Sequence, residues 1–360
     1  MFQPSFTYSA LPGRVVFGAG SLDQLSQEFR ELQVSRALLI STPEQSGLAE
    51  DVASRLSGQC AGVFPKAVMH VPIEVAREAR EYANRIGADC IVAIGGGSTI
   101  GVGKAIALES SIPIIAIPTT YAGSEMTPIY GITENGEKKT GRSLKVLPRT
   151  VIYDPFLTLT LPVRMSATSG INAIAHCVEA LYAANANPIT SMMAEEGIRS
   201  LARGLPRVAD NPENLDARTE CLYGAWLAGS VLAATSVALH HKLCHTLGGM
   251  FNLPHAETHT VILPHAAAYN ALATPQAMAR VAGALAVDDA AQGLFDLAVR
   301  LHVPTSLETL GMHFADLDRV ADAVLAAPYP NPRPLQYEAI HALLEDAYYG
   351  RRPRASTVAH

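Results

Sequence analysis

The sequence predicts an α/β domain with a mostly parallel sheet, followed by an all-helical domain. Three observations carry that reading. Short, near-continuous apolar runs alternate with amphipathic segments up to "RTVIYDP". After "DPFLTLTLP" the texture turns to Ala- and Leu-rich helical patterns without a convincing strand. A glycine-rich loop directly follows one of the buried apolar runs. We place the α/β domain at residues 1–157 and the helical domain at 158–360, and 360 residues suffice for two cores.

Taken in order, "RVVFG", "RALLIST", "DCIVAIGGG", "IPIIAIPTT" and "RTVIYDP" read as strands. Their unbroken apolar character suits strands covered on both faces. Between them "SLDQLSQEFRELQ", "LAEDVASRLSG" and "IEVAREAREYANRIG" carry apolar residues at helical spacing. Strand–helix–strand repetition implies a largely parallel sheet with helices on both sides. "ITENGEKKT" holds an Asn-Gly turn and reads as a hairpin inserted before the last strand. In the second half, breaks are expected at "ANANP", "DNPEN", "FNLPH", "HVPTS" and "PYPNPRP". The uncharged run Cys221 to Leu239 is long enough for a bilayer. It is rich in Ala, Gly, Ser and Thr and leads straight into His240, His241 and Lys242, so a buried core helix is expected and no membrane span.

Composition narrows the function classes. Hydrophobic content of 49% and charged content of 17% describe a globular chain. A net charge of −6 offers no basic face to nucleic acid. Five scattered cysteines without CxxC spacing read as reduced thiols of a cytoplasmic protein. The opening residues lack a basic start followed by an apolar block, so no signal peptide is expected.

Two loops point to a nucleotide. "IVAIGGGSTIGVGKAIA" puts Gly95, Gly96, Gly97 and Ser98 between a buried strand and a helix. Glycine lets the backbone approach a ligand, and a helix N-terminus offers unpaired N–H groups to a phosphate. The stretch is neither GxGxxG nor GxxxxGK[ST], and a plain tight turn is the alternative. "PTTYAGSEMTP" is a second polar loop after a strand, with Thr119, Thr120 and Ser124 near the same sheet edge. Ligands of open α/β sheets bind beyond the carboxyl ends of the strands. Ser41, where "RALLIST" ends, joins this cofactor-binding set.

The helical half carries the other cluster. "SGINAIAHCVEA" puts Asn172 and His176 four apart on one helix face. "HHKLCH" does the same for His241 and His245, and "NLPH" brings His255 back after a turn. Such a set suits a divalent transition metal or a group of hydrogen-bond donors. His240 and His259 read as structural or surface residues.

With "GGGS" after a strand, "PTT…GSE", the "GINAIAH" helix and "HHKLCHTLGGMFNLPH", the chain resembles the iron-containing alcohol dehydrogenase family over nearly its whole length. That family shares its domain plan with the dehydroquinate synthases. The resemblance implies an NAD(P)-binding α/β domain, a helical domain, a site in the cleft of the two, and a homodimer. The family's metal-ligand positions match Asn172, where the pattern has aspartate, and His176, His241 and His255. Its GGGSxxDxAK becomes "GGGSTIGVGK", with Gly101 at the aspartate position. "PTTYAGSEMTP", "HHKLCH" and "PYPNPRP" look like the maleylacetate reductase branch. That branch implies reduction of maleylacetate to 3-oxoadipate with NADH or NADPH, in aromatic-compound breakdown, and no metal. A metal-dependent alcohol or polyol dehydrogenase is the alternative. A lyase of the dehydroquinate synthase type would need more basic residues than the second half holds.

The implied substrate is a small dicarboxylate with a C=C bond conjugated to a ketone. Conjugate hydride attack places negative charge on the ketone oxygen. Donors aimed at such charge contribute about 3 kcal/mol each. His241, His255 and His176 are the expected donors and His245 the proton source. Asn172, Lys242 and Arg333 are the expected substrate-binding residues. Lys242 points about 100° away from His241 on a helix.

Overall fold

Six parallel strands, numbered along the chain and lying side by side in the order 1-8-5-4-2-3, organise the first half of the chain. The computed structural model describes residues 5–11, 13–56, 58–134, 137–326 and 329–354. In sequence these elements are β1 (Arg14–Phe17), α1 (Leu25–Leu32), β2 (Ala37–Ile40), α2 (Ser46–Arg55), β3 (Cys60–Phe64), α3 (Ile73–Ile86), β4 (Cys90–Gly95), α4 (Gly97–Ser110) and β5 (Ile114–Pro118). A two-stranded antiparallel hairpin, β6 (Ile129–Glu134) and β7 (Glu137–Arg142), precedes β8 (Thr150–Tyr153). The hairpin stands where "ITENGEKKT" predicts it; its Asn135-Gly136 turn lies outside the described residues.

Alternation along the central strands explains the layers. Cys90, Val92 and Ile94 of β4 pack with Leu39, Ile115, Ile117 and Ile152, against Phe29 of α1 and Val52 of α2. Ile91 and Ala93 point the other way, beneath α4, where a Cβ on Gly103 would come within 3.2 Å of Ile91. Both faces are covered, as the uninterrupted apolar runs require. One strand escaped the sequence reading. β3, "CAGVF", is an edge strand, mostly half-buried, and its Ala and Gly carry no strand pattern.

The chain divides into two compact units, and the first covers Ala10–Leu161. The second is built, among the described residues, of helices: α5 (Val163–Tyr182), α6 (Pro188–Asp210), α7 (Leu215–Ala234), α8 (Leu239–Phe251), α9 (His255–Asn270), α10 (Pro275–Leu285), α11 (Ala290–Arg300), α12 (Leu317–Ala326) and α13 (Tyr337–Tyr349). The breaks have local causes. Asn187 and Thr190 form a capping box at the start of α6, with Pro188 at the first helical position. The Asn214 side chain accepts from Ala217 N to start α7. Asn252, at φ 53°, ends α8, and Pro254 leads into α9.

The uncharged run from Cys221 is not one helix. It breaks at Thr235–Ala238, and α7 and α8 meet there at 94°. Cys221, Leu222, Ala225, Ala228 and Val231 of α7 are buried within the unit, as a core helix requires. No single helix among the described residues is long and apolar enough to cross a membrane. A second core joins Leu239, Leu243 and Leu247 of α8 to Val261 and Ile262 of α9, Val320 of α12 and Leu344 of α13.

Candidate active site

Sheet order locates the nucleotide end in the α/β unit. From β2 the chain runs outward to β3; from β4 it runs the opposite way to β5. Loops leaving β2 and β4 therefore diverge, which makes this the switch point where open sheets bind ligands. Ser41–Gln45 follows β2, Gly95–Gly97 follows β4, and Thr119–Thr120 follows β5. Hydrogen bonds tie the three together. Gln45 Nε2 donates to Thr119 Oγ1 at 2.9 Å, and Thr119 N donates to Gly95 O at 3.1 Å. Gln45 was not anticipated; nothing in its local sequence marks it.

Each glycine of "GGGS" has its own reason. Gly95 holds φ +151°, and a Cβ there would lie 2.5 Å from Thr99 Oγ1 and 2.9 Å from Gln45 Oε1. A Cβ on Gly96 would come 3.1 Å from Thr120 Oγ1. At Gly97 nothing stands within 4 Å. The first turn of α4 is thus open at Gly97 and half-open at Ser98, with its N–H groups available to a phosphate. Gly101 has a different cause: a Cβ would sit 2.6 Å from Val71 Cγ2. Val71 is held at φ 48°, and its carbonyl accepts from Thr133 N at 3.0 Å.

Three predicted cofactor residues turn inward, among them Thr119, which is buried with its Oγ1 taken by Gln45. Ser41 is fully buried, and its Oγ has no hydrogen-bond partner. Ser124 faces Lys104, whose buried ammonium donates to Ser124 O (2.7 Å), Thr127 O (2.9 Å), Thr127 Oγ1 (3.0 Å) and Ile129 O (2.7 Å). Burial pushes that ammonium down to about 7, against the opposing pull of Glu125.

In the helical unit the break at Thr235–Ala238 brings α8 against α5. Glu179 of α5, one turn after His176, receives it. Its Oε1 accepts from His240 N at 2.8 Å and its Oε2 from Ala238 N at 2.7 Å, so a carboxylate caps the first turn of α8. The same Oε2 takes the Nδ1 of His241 at 2.7 Å. His241 Nε2 lies 2.8 Å from His176 Nδ1, with the rings stacked at 23°. Both ring nitrogens of His241 are therefore engaged inside the protein. Sequence reasoning missed Glu179, although its three-residue spacing from His176 was a usable cue.

His240 and His259 form the inner layer. Both are fully buried and meet at 2.9 Å through Nε2 and Nδ1. Burial pushes both imidazoles well below their usual range, with neighbouring histidines adding to the effect. Among the described residues, the ligand atoms of His240, Cys244 and His259 gather within 4.8 Å. Burial, and then the Glu179 carboxylate, push the Cys244 thiol well above its usual range. The two imidazoles therefore stay neutral and the thiol keeps its proton, all three buried.

His245 and His255 are exposed. His245 lies 6.0 Å from the His241 ring and His255 lies 4.3 Å from the His259 ring, centroid to centroid. Asn172 is buried on α5, four residues before His176, and its Oδ1 has no hydrogen-bond partner. Lys242 is half-buried, its Nζ 5.7 Å above the Tyr329 ring. Arg333 is buried: its Nη1 donates to Tyr269 O at 3.0 Å, and the guanidinium lies 4.2 Å from the Tyr269 ring centroid. Beside it, Asn331 and Asn270 exchange amide hydrogen bonds of 3.1 and 2.8 Å, which pins this loop to α9.

Comparison with known proteins agrees in family and in fold. Residues 12–155 match the family described as iron-containing alcohol dehydrogenase, and residues 166–348 match its C-terminal part. The chain is 61% identical to the maleylacetate reductase of Burkholderia cepacia, over 97% of this chain and 99% of that one. Among solved structures it is similar to the maleylacetate reductase of Agrobacterium tumefaciens, with a TM-score of 0.95 and 54% identity over 98% and 100% of the two chains. It is also similar to that of Rhizobium sp., with a TM-score of 0.94 and 53% identity over 98% and 100%.

Proposed function

We propose that this chain, which belongs to the iron-containing alcohol dehydrogenase family, reduces the C=C bond of maleylacetate to give 3-oxoadipate. It is an NAD(P)-dependent oxidoreductase of the maleylacetate reductase branch. The observation that carries the reading is the near-full-length likeness to maleylacetate reductases in both sequence and fold.

The family takes its name from iron, and the corresponding residues here do not fit a dication. Asn172 supplies a neutral amide oxygen where a carboxylate would offset charge. His241 Nε2, a nitrogen a metal would need, is hydrogen-bonded to His176 at 2.8 Å. Its other nitrogen is held by Glu179. We therefore read the reaction as metal-independent, and no step passes through a metal.

When bound, the reduced nicotinamide supplies the hydride. The chain's own residues do the rest. The open turn at Gly97 and Ser98 takes the phosphates. The exposed imidazoles His245 and His255 are placed to donate to the oxygen on which charge develops, and His245 to deliver the proton. Lys242, half-buried on α8, supplies charge for a substrate carboxylate. Asn172, with its buried amide oxygen unpartnered, is placed to meet a polar substrate group. No acid stands at the end of β2, where Ser41 and Thr42 follow Ile40, and the first acid, Glu44, comes only further along the loop. NADPH is accepted beside NADH.

One assay tests the reading: purified enzyme with maleylacetate and NADH or NADPH, before and after exhaustive chelation. Turnover with both cofactors, unchanged by chelation, is expected. Loss of activity that zinc or iron restores would overturn the metal-free reading. Absence of turnover with maleylacetate would overturn the function. As a companion, Asn172→Asp is expected to raise metal affinity without being needed for the reduction.

A further inference from the structure

We propose that Glu179 is the positioning residue of this site: it fixes the tautomer of His241 and, through His241, makes Nε2 of His176 the acceptor nitrogen. The inference rests on the reductase reading only for its consequence in catalysis; the proton positions of the neutral rings follow from the geometry.

The chain of reasoning starts at two amides. Ala238 N and His240 N can only donate, and both point at the Glu179 carboxyl group, one at each oxygen. The carboxyl group is 1% exposed, so no solvent competes for it. Oε2, already an acceptor, meets His241 Nδ1 at 2.7 Å, and the proton in that contact belongs to the imidazole. A neutral imidazole carries one N–H. His241 Nε2 therefore holds a lone pair. It lies 2.8 Å from His176 Nδ1, so the proton there sits on His176. His176 in turn holds its lone pair on Nε2. With both rings neutral, each link is set by the one before it, and the first by the backbone.

The consequence is a division of roles among the histidines. A neutral His176 presents an acceptor, and His241 spends both nitrogens on alignment. The hydrogen bonds that stabilise a developing oxyanion must then come from the exposed His245 and His255. Glu179 touches none of the reacting atoms in this scheme; it acts through His241.

The test reads proton positions directly. Nitrogen-15 histidine spectra are recorded at a pH where the rings are neutral, and the two signals are assigned with His176→Gln and His241→Gln. Wild-type protein is expected to show the Nδ1-protonated tautomer at both rings. In Glu179→Gln one amide face opposes a backbone N–H or the His241 ring. His241 and His176 are then expected to shift toward the Nε2-protonated form. With maleylacetate, kcat should fall about ten- to a hundredfold, the usual range for losing a residue that orients another. KM for the reduced cofactor should hold, because its loops lie in the other unit. Nε2-protonated rings in the wild type would overturn the proposal. The wild-type spectrum needs no variant, so a misfolded Glu179→Gln leaves the test standing. If wild-type enzyme fails to turn over maleylacetate, the functional reading falls while the tautomers still report on Glu179.

Discussion

Two neighbouring histidines on α8 face opposite fates, and a pair of variants separates them. His245 is exposed, so replacing it removes chemistry and little packing. His245→Ala is expected to lower kcat by roughly 10²-fold or more, as loss of a general acid does, with the unfolding temperature held. His240 is fully buried and bonded to His259. His240→Ala leaves a cavity and an unpaired imidazole, so it should cost about 2–4 kcal/mol of stability. Measuring kcat and thermal midpoint for both variants checks the pair. Equal small effects on kcat from both would mean that the outer histidines pack rather than react.

At the scale of the element, the start of α4 concentrates the constraint. Gly95 combines a φ of +151° with near-contact to Thr99 and Gln45. Gly95→Ala must push Thr99 and Gln45 away, and Gln45 in turn holds Thr119. The expected result is weaker binding of the reduced cofactor and a stability loss of about 1–3 kcal/mol, from strain at a conformation side chains rarely adopt. Gly97→Ala is the contrast, since a Cβ there meets nothing within 4 Å. It should keep its fold and lose only cofactor affinity. Fluorescence titration of both variants with NADH reads this; unchanged affinity in Gly97→Ala would remove the phosphate role from this turn.

For the molecule as a whole, buried histidines set an acid limit. Burial pushes the imidazoles of His240 and His259 well below their ordinary range and that of His265 down to about 4, where Asp346 partly opposes the effect. Their folded pKa values are lower than in the unfolded chain, which takes up protons below about 6.5 while the folded one does not. Stability from these groups is fully present above about 6.5 and drains as pH falls toward the folded values. Each contributes about 1.4 kcal/mol per pH unit in that window. Trp226, the chain's one tryptophan, lies on α7 and reports on the helical unit. Its urea midpoint should drop between pH 7.5 and 5.5, and the drop should shrink in His265→Gln. The same drop in wild type and variant would show that His265 titrates alike folded and unfolded.

The sequence by itself determined the alternation of buried strands and helices, the inserted hairpin, the helical second half and the glycine turn. Each is written in local periodicity or in residues with distinctive backbone preferences, such as Gly95 and the Asn187-Pro188 start of α6. It also placed Asn172 with His176, and His241 with His245, because a helix makes residues four apart neighbours. It did not show the edge strand "CAGVF", whose small residues acquire strand form only by pairing with β2. Nor did it show the bend at Thr235–Ala238, since nothing in that apolar run breaks a helix outright. Only tertiary structure decided that Glu179 would meet the backbone of α8, that Ser41 and Arg333 would turn inward, and that Val71 would fill the space beside Gly101. The physical reason is the same in each case. A hydrogen bond or steric contact between residues far apart in the chain, such as Glu179 with Ala238 or Gly101 with Val71, depends on how the helices and strands pack, and spacing along the chain carries no record of that.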